Sequence, residues 1–127
     1  MIVVDTSTLI DFFRGLEETR EFMDDDVTTT IISYYEIFSG IKHRKARKEE
    51  QFFRRFFSEI EVLDFDLKAA EEASDIMGRL LNLGTPVNST DVLIAGIAAA
   101  NGAEKIISRD SDFISIGKVS KFDVLVY

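Results

Sequence analysis

Five carboxylates are spaced along the chain where chemistry could gather. Asp5 follows the short β-branched run Ile2-Val3-Val4, Glu36 follows Ser33-Tyr34-Tyr35, Asp91 follows Asn88-Ser89-Thr90, and Asp110 and Asp112 follow Lys105 to Ser108. Each has a plain structural explanation on its own. Asp is a favoured helix N-cap, which suits Asp5. Ser33-x-x-Glu36 has the form of a capping box, in which Glu36 is only the return half. Asp91, three residues after Asn88, suits the positive end of a helix dipole, and Asp110 and Asp112 suit a turn. Four independent caps have no reason, however, to recur at successive ends of one sheet. Carboxylates crowded into a partly dry cleft raise one another's pKa and cost stability unless a cation lies among them. Hard oxygen donors select Mg²⁺ or Mn²⁺, and such an ion can bind a phosphate oxygen, acidify a water and stabilise a leaving oxygen. That chemistry is phosphodiester hydrolysis.

The composition removes competing chemistries. There is no Cys and a single His, His43, so disulfides, thiolate zinc sites and Ser-His or Cys-His triads are excluded or nearly so. His43 lies inside a basic run and reads as a surface residue.

The elements that must position the acids alternate. Ile2 to Val4 reads as a strand, and Thr8 to Arg14 as a helix. A second helical stretch, Glu17 to Asp25, precedes a strand from Val27 to Ile32. The helix opened by Ser33 carries Ile37, Phe38 and Ile41. The next brings Phe52, Phe53, Phe56 and Phe57, all four read as core, with ring surface left for a helix or a second subunit as the alternative. Glu59 to Phe65 reads as a third strand and Leu67 to Leu83 as a long amphipathic helix ended by Gly84. Asp91 to about Ala100 is apolar on nearly every side and should be buried against a sheet. Lys105 to Ser108 is a fourth strand, Arg109 to Phe113 a turn with one helical turn, and Phe122 to Val126 a fifth strand. This alternation predicts an α/β fold, a three-layer α/β/α sandwich on a five-stranded parallel sheet, in one domain over residues 1–127. Ligands in such sheets bind beyond the carboxyl ends of the strands, where the acids fall.

At 127 residues, 46% of them hydrophobic, the chain has the size for one core. No targeting segment is evident. The longest apolar stretch, Val92 to Ala100, is about half the roughly 20 residues of a membrane span. A cytoplasmic protein with no membrane partner is the expectation. The net charge of -8 opposes non-specific nucleic-acid binding, yet seven of the fifteen Lys and Arg lie between Lys42 and Arg55. Lys42, Arg44, Lys45, Arg47 and Lys48 are either contacts to nucleic-acid phosphates or a solvated helix end.

Four stretches together, I-V-V-D-T-S-T-L-I-D-F-F, S-Y-Y-E-I-F-S-G, D-V-L-I-A-G-I-A and I-I-S-R-D-S-D-F, span nearly the whole chain. In order and approximate spacing they resemble the motifs of PIN-domain nucleases, and among these the VapC-type toxins of toxin-antitoxin pairs. The resemblance implies a metal-dependent endoribonuclease with one or two Mg²⁺ or Mn²⁺ ions, an RNA substrate, a VapB-like antitoxin that holds it inactive, and a homodimer. It implies that Asp5, Glu36, Asp91 and Asp110 are catalytic metal ligands, with Asp112 a direct ligand, a water-mediated one or neither. Thr6, Ser7 and Ser108 are candidates for orienting those ligands. Members often carry Thr in place of Ser108 and Asn in place of Asp110. Four other readings compete. A housekeeping PIN nuclease of RNA processing would share these residues, whereas a non-catalytic PIN-like binding module would usually have lost the acidic set. A haloacid-dehalogenase-like phosphatase needs a second Asp where Ser7 stands, and a phosphorelay receiver needs a Lys after its last strand, which is absent before Tyr127.

Overall fold

The computed structural model describes residues 1–23 and 26–127. Five strands form one all-parallel sheet: β1 (Ile2–Val4), β2 (Val27–Thr30), β3 (Val62–Leu63), β4 (Lys105–Ser108) and β5 (Asp123–Val126). Their spatial order is β3-β2-β1-β4-β5. Among the described residues the helices are α1 (Thr6–Phe13), α2 (Glu17–Phe22), α3 (Ile31–Arg44), α4 (Arg47–Glu59), α5 (Leu67–Asn82), α6 (Ser89–Ala100) and α7 (Asp112–Lys118).

Successive residues of a strand point to opposite faces, and the central strands use both. Val3 and Ile106 join a core with Ala69, Ile76, Ile94 and Phe113 from α5, α6 and α7. Val4 and Ile107 join the opposite core with Leu9, Ile37 and Phe53 from α1, α3 and α4. The three layers read from the alternation of elements are therefore the layers that form. From β1 the chain builds outward through β2 and β3, then crosses back to place β4 on the other side of β1. The carboxyl ends of β1 and β4 thus flank a switch point, where connections diverge and where sheets of this kind bind their ligands.

Several boundaries differ from the sequence reading, and local capping explains most of them. β2 ends at Thr30 rather than Ile32, because Thr30 is the N-cap of α3 and its side chain accepts from the Ser33 N–H at 3.2 Å. Strand propensity in Ile31-Ile32 yields to that cap. The Ser33-Glu36 capping box is accordingly absent: Ser33 lies inside the helix and Glu36 is free for another partner. Asp5 caps α1 two residues earlier than expected, and Asn88 caps α6 at Ser89 rather than Asp91, accepting from the Thr90 N–H at 3.1 Å. β3 is only Val62–Leu63 because α4 continues to Glu59 and an edge strand has one neighbour. α7 is longer than the single turn expected, and α2 ends at Phe22; of the stretch read as helical, Asp24 and Asp25 lie outside the described residues.

β2 is unusually polar for a buried strand, and its hydroxyls are used. Thr29 Oγ1 donates to the Val4 carbonyl at 2.9 Å and Thr28 Oγ1 to the Ile2 carbonyl at 3.3 Å, tying β2 to β1. On the opposite side α6 is pressed against α5 at Gly96, where a Cβ would lie 2.5 Å from Ala73 Cβ and 2.6 Å from the Ala69 carbonyl oxygen. Backbone cannot retreat cheaply from such a contact. Gly96→Ala should lower the unfolding free energy by roughly 1–3 kcal/mol, read by denaturant titration. An unchanged midpoint would show that α5 and α6 separate freely.

Candidate active site

Three acids converge most tightly. Asp91, in the first turn of α6, and Asp110 and Asp112, just after β4, each place a carboxylate oxygen within 4.8 Å of the other two. Short local bonds set the turn that carries the last pair. Asp112 N–H donates to Asp110 Oδ1 at 2.9 Å, and Asp112 Oδ2 accepts from the Asn88 N–H at 3.4 Å, linking α7 to the cap of α6.

Asp5 is buried beside them, and its cap role and its site role coexist. Oδ1 accepts from the Thr8 N–H at 3.0 Å and from Ser7 Oγ at 2.8 Å, while Oδ2 accepts from Ser108 Oγ at 2.6 Å. Each serine also accepts from the turn after β4: Ser7 Oγ from the Arg109 N–H at 3.0 Å and Ser108 Oγ from the Asp110 N–H at 2.8 Å. One network thus fixes Asp5 and the backbone that presents Asp110. Glu36, one turn into α3, accepts from Thr6 Oγ1 at 2.7 Å, and the same hydroxyl lies 3.0 Å from Ser33 Oγ. All three hydroxyl residues singled out from the sequence therefore touch an acid. The contacts of Ser33 with Thr6 and of the Asn88 N–H with Asp112 were not foreseen, since both residues read as helix caps.

The electrostatics record the crowding. Burial pushes the Asp91 carboxyl up to about 8, and the charges of Asp110, Asp5 and Glu36 push in the same direction. Burial also raises Asp5, against the opposing pull of its Ser108, Thr8 and Ser7 hydrogen bonds. Asp91 Oδ2 is buried with no hydrogen-bond partner among the described residues. Nor, among those residues, does a Lys or Arg pair with Asp5, Glu36, Asp91, Asp110 or Asp112. An acceptor left without a donor in a group of like charges is suited to a cation. Mg²⁺–oxygen bonds of about 2.1 Å set ligand oxygens at most roughly 4 Å apart, a spacing small side-chain movements would reach here.

The chain's architecture has known counterparts. A family model described as PIN domain matches residues 2–119. The chain belongs to the PIN-domain family. The ribonuclease VapC3 of Methanocaldococcus jannaschii is 30% identical to this PIN domain over 96 residues, covering 75% of this chain and 95% of the relative. The tRNA(fMet)-specific endonuclease VapC of Salmonella typhimurium is 38% identical over 58 residues, 46% of this chain and 44% of that protein. A second protein of that description, from Shigella flexneri, matches over 61% of its length, so the aligned stretches span about half of these two relatives. Among solved structures, the DNA-bound VapBC of Salmonella typhimurium superposes with a TM-score of 0.84 at 25% identity, over 98% of this chain and 96% of that one. VapBC2 from Rickettsia felis, bound to a promoter DNA fragment, gives a TM-score of 0.85 over 100% and 99% of the two chains; at 17% identity this is a likeness of fold.

The basic block is less uniform than its sequence suggests. Arg44 gives both terminal nitrogens to Glu49, at 2.7 and 3.0 Å, so its guanidinium is engaged within the chain. Lys42, Lys45, Arg47 and Lys48 are exposed and make no ion pair among the described residues. Arg44 lies eight residues beyond Glu36 on α3, about 12 Å along the axis. Of the four phenylalanines read as core, Phe53 alone is fully buried; Phe52, Phe56 and Phe57 pack against it and stay half-buried. Phe52 and Phe56 border an open groove with Phe12, Arg55 and Glu59. Among the described residues no helix is long and apolar enough to cross a membrane.

Proposed function

We propose that this chain is a divalent-metal-dependent endoribonuclease, acting on RNA phosphodiesters as the toxin of a VapBC-type pair. The observation that carries the reading is the buried, partnerless Asp91 Oδ2 among four other carboxylates. The donor set fits a hard dication: oxygen alone, with no Cys in the chain and His43 exposed in the basic run. Asp5, Glu36, Asp91 and Asp110 would hold Mg²⁺ or Mn²⁺, and Asp112 would complete the set directly or through water. Bound there, the ion supplies positive charge to the phosphate and lowers the pKa of an attacking water.

The chain's own residues supply the geometry. Ser7 and Ser108 fix both oxygens of Asp5, and Thr6 fixes Glu36, so that the ligands are oriented before substrate arrives. The apolar core that α6 shares with α5, Val3 and Ile106 holds the helix, and with it Asp91, in place. The VapBC of Salmonella typhimurium, 25% identical, supports a VapB-like antitoxin as partner; a homodimer is proposed on the resemblance of the motifs alone. RNA cleavage that requires Mg²⁺ or Mn²⁺ and stops in EDTA is the test; cleavage unaffected by EDTA removes the metal-dependent reading.

Lys42, Lys45, Arg47 and Lys48 are proposed as RNA phosphate contacts outside the acidic cleft, with Arg44 serving mainly to hold Glu49. Neutralising Lys45, Arg47 and Lys48 together should flatten the dependence of log binding constant on log salt by about 2, for three phosphates of a single strand. An unchanged slope would assign them to a solvated helix end.

A further inference from the structure

We propose that Arg109 binds a backbone phosphate of the RNA next to the one cleaved, with Asp11 and Tyr127 as the positioning residues that aim it. The inference rests on the nuclease reading above. Arg109 sits between two residues of the site: Ser108, whose hydroxyl holds Asp5, and Asp110. Its own N–H is held by Ser7 Oγ, which also donates to Asp5, so its Cα is fixed beside the acids.

The side chain is tethered from outside the acidic group. Arg109 Nη1 donates to Asp11 Oδ1 at 3.0 Å, and Tyr127 OH donates to Asp11 Oδ2 at 2.8 Å. Asp11 interrupts the apolar run Leu9-Ile10-Asp11-Phe12-Phe13, and a carboxylate that deep is costly unless its oxygens are satisfied. Tyr127 is a dependable donor, because burial raises its phenol and the Asp11 charge adds to the rise. With both oxygens held, the carboxylate plane is fixed, and so is the direction from which the guanidinium approaches.

A simple neutralising ion pair explains only half of this. The Asp11 side chain is 5% exposed, while that of Arg109 is 52% exposed. One of five guanidinium donors is used by Asp11, and the others remain for a second, external acceptor. A planar fork anchored at one edge and open at the other matches phosphate oxygens. The setting makes such a cation useful: five carboxylates line the site in a chain of net charge -8, and a polyanion must still enter.

The test is steady-state cleavage of a labelled single-stranded RNA in saturating Mn²⁺, with KM, kcat and salt dependence measured for the parent, Arg109→Ala, Arg109→Lys and Tyr127→Phe. Arg109→Ala should raise KM about tenfold with a smaller change in kcat, and should reduce the salt slope by about 0.7 for one phosphate. Arg109→Lys should recover the slope but only part of the KM, since a point charge lacks the fork. Tyr127→Phe should raise KM about threefold and leave the slope intact. A folded Arg109→Ala, or Arg109→Lys and Tyr127→Phe should the first not fold, with parental KM and only a lower Tm would reduce the trio to a structural ion pair. A parent that cleaves no RNA overturns the nuclease reading itself, and is recognised without any variant.

Discussion

Asp91→Asn should lower kcat for RNA cleavage by at least about 10²-fold, the upper loss seen when even an outer partner of a metal site is removed. Asp5→Asn should do the same. The two variants should nevertheless differ in stability, and that difference separates ligand loss from misfolding. Asn at position 91 keeps the shape of the side chain and leaves the α6 cap on Asn88 untouched. Asn at position 5 keeps an acceptor for the Thr8 N–H but sets an amide against Ser108 Oγ, which now donates to Asp5 Oδ2 at 2.6 Å. Asp91→Asn is therefore expected to be inactive but fully folded, and Asp5→Asn inactive with its α1 entry weakened. Single-turnover cleavage with circular dichroism melts reads both; retained activity in either folded variant would remove that acid from the site.

The same Asp91→Asn change should stabilise the metal-free protein near pH 8. The sign follows from the direction of the shift. Asp91 is raised from 3.8 to about 8 in the fold, so between these values the native state keeps a proton the unfolded chain has released. Stability then falls as pH rises through that window, by at most about 1.4 kcal/mol for each pH unit. Partial exposure of the site to solvent reduces the total to a gain of a few kcal/mol for the Asn variant. Asp5, also raised, adds a slope of the same sign in both proteins. Urea unfolding in EDTA at pH 5 and pH 8 should show the parent losing stability between the two and Asp91→Asn losing less. Equal slopes would mean that Asp91 is ionised in the fold at little cost.

How much of this was legible in the residues depends on what each signal competes with. The layers were legible because Val3, Val4, Ile106 and Ile107 offer apolar surface to both sides of a strand, a pattern that only a doubly covered sheet satisfies. The positions of Asp5, Asp91 and Asp110 were legible because strand ends and helix caps have their own residue signatures. For Glu36 the plain structural alternative falls away: the capping box with Ser33 does not form, Thr30 having taken the cap, and the glutamate accepts from Thr6 instead. Ile31-Ile32 misled because β-branched propensity is a weak preference that a single capping hydroxyl outweighs. The Asp11-Arg109-Tyr127 chain spans 116 residues and no local pattern encodes it, though one charge inside Leu9-Ile10-Asp11-Phe12-Phe13 was a mark of a buried partner.

Dication binding by the crowded acids is tested most directly by thermal unfolding of the parent at pH 8, first in EDTA and then across a Mn²⁺ titration. The acids predict a saturable rise in Tm that is lost or much reduced in Asp91→Asn, which lacks one ligand and much of the repulsion that the ion relieves. A parent whose Tm is the same with and without Mn²⁺ would contradict a metal site at these carboxylates.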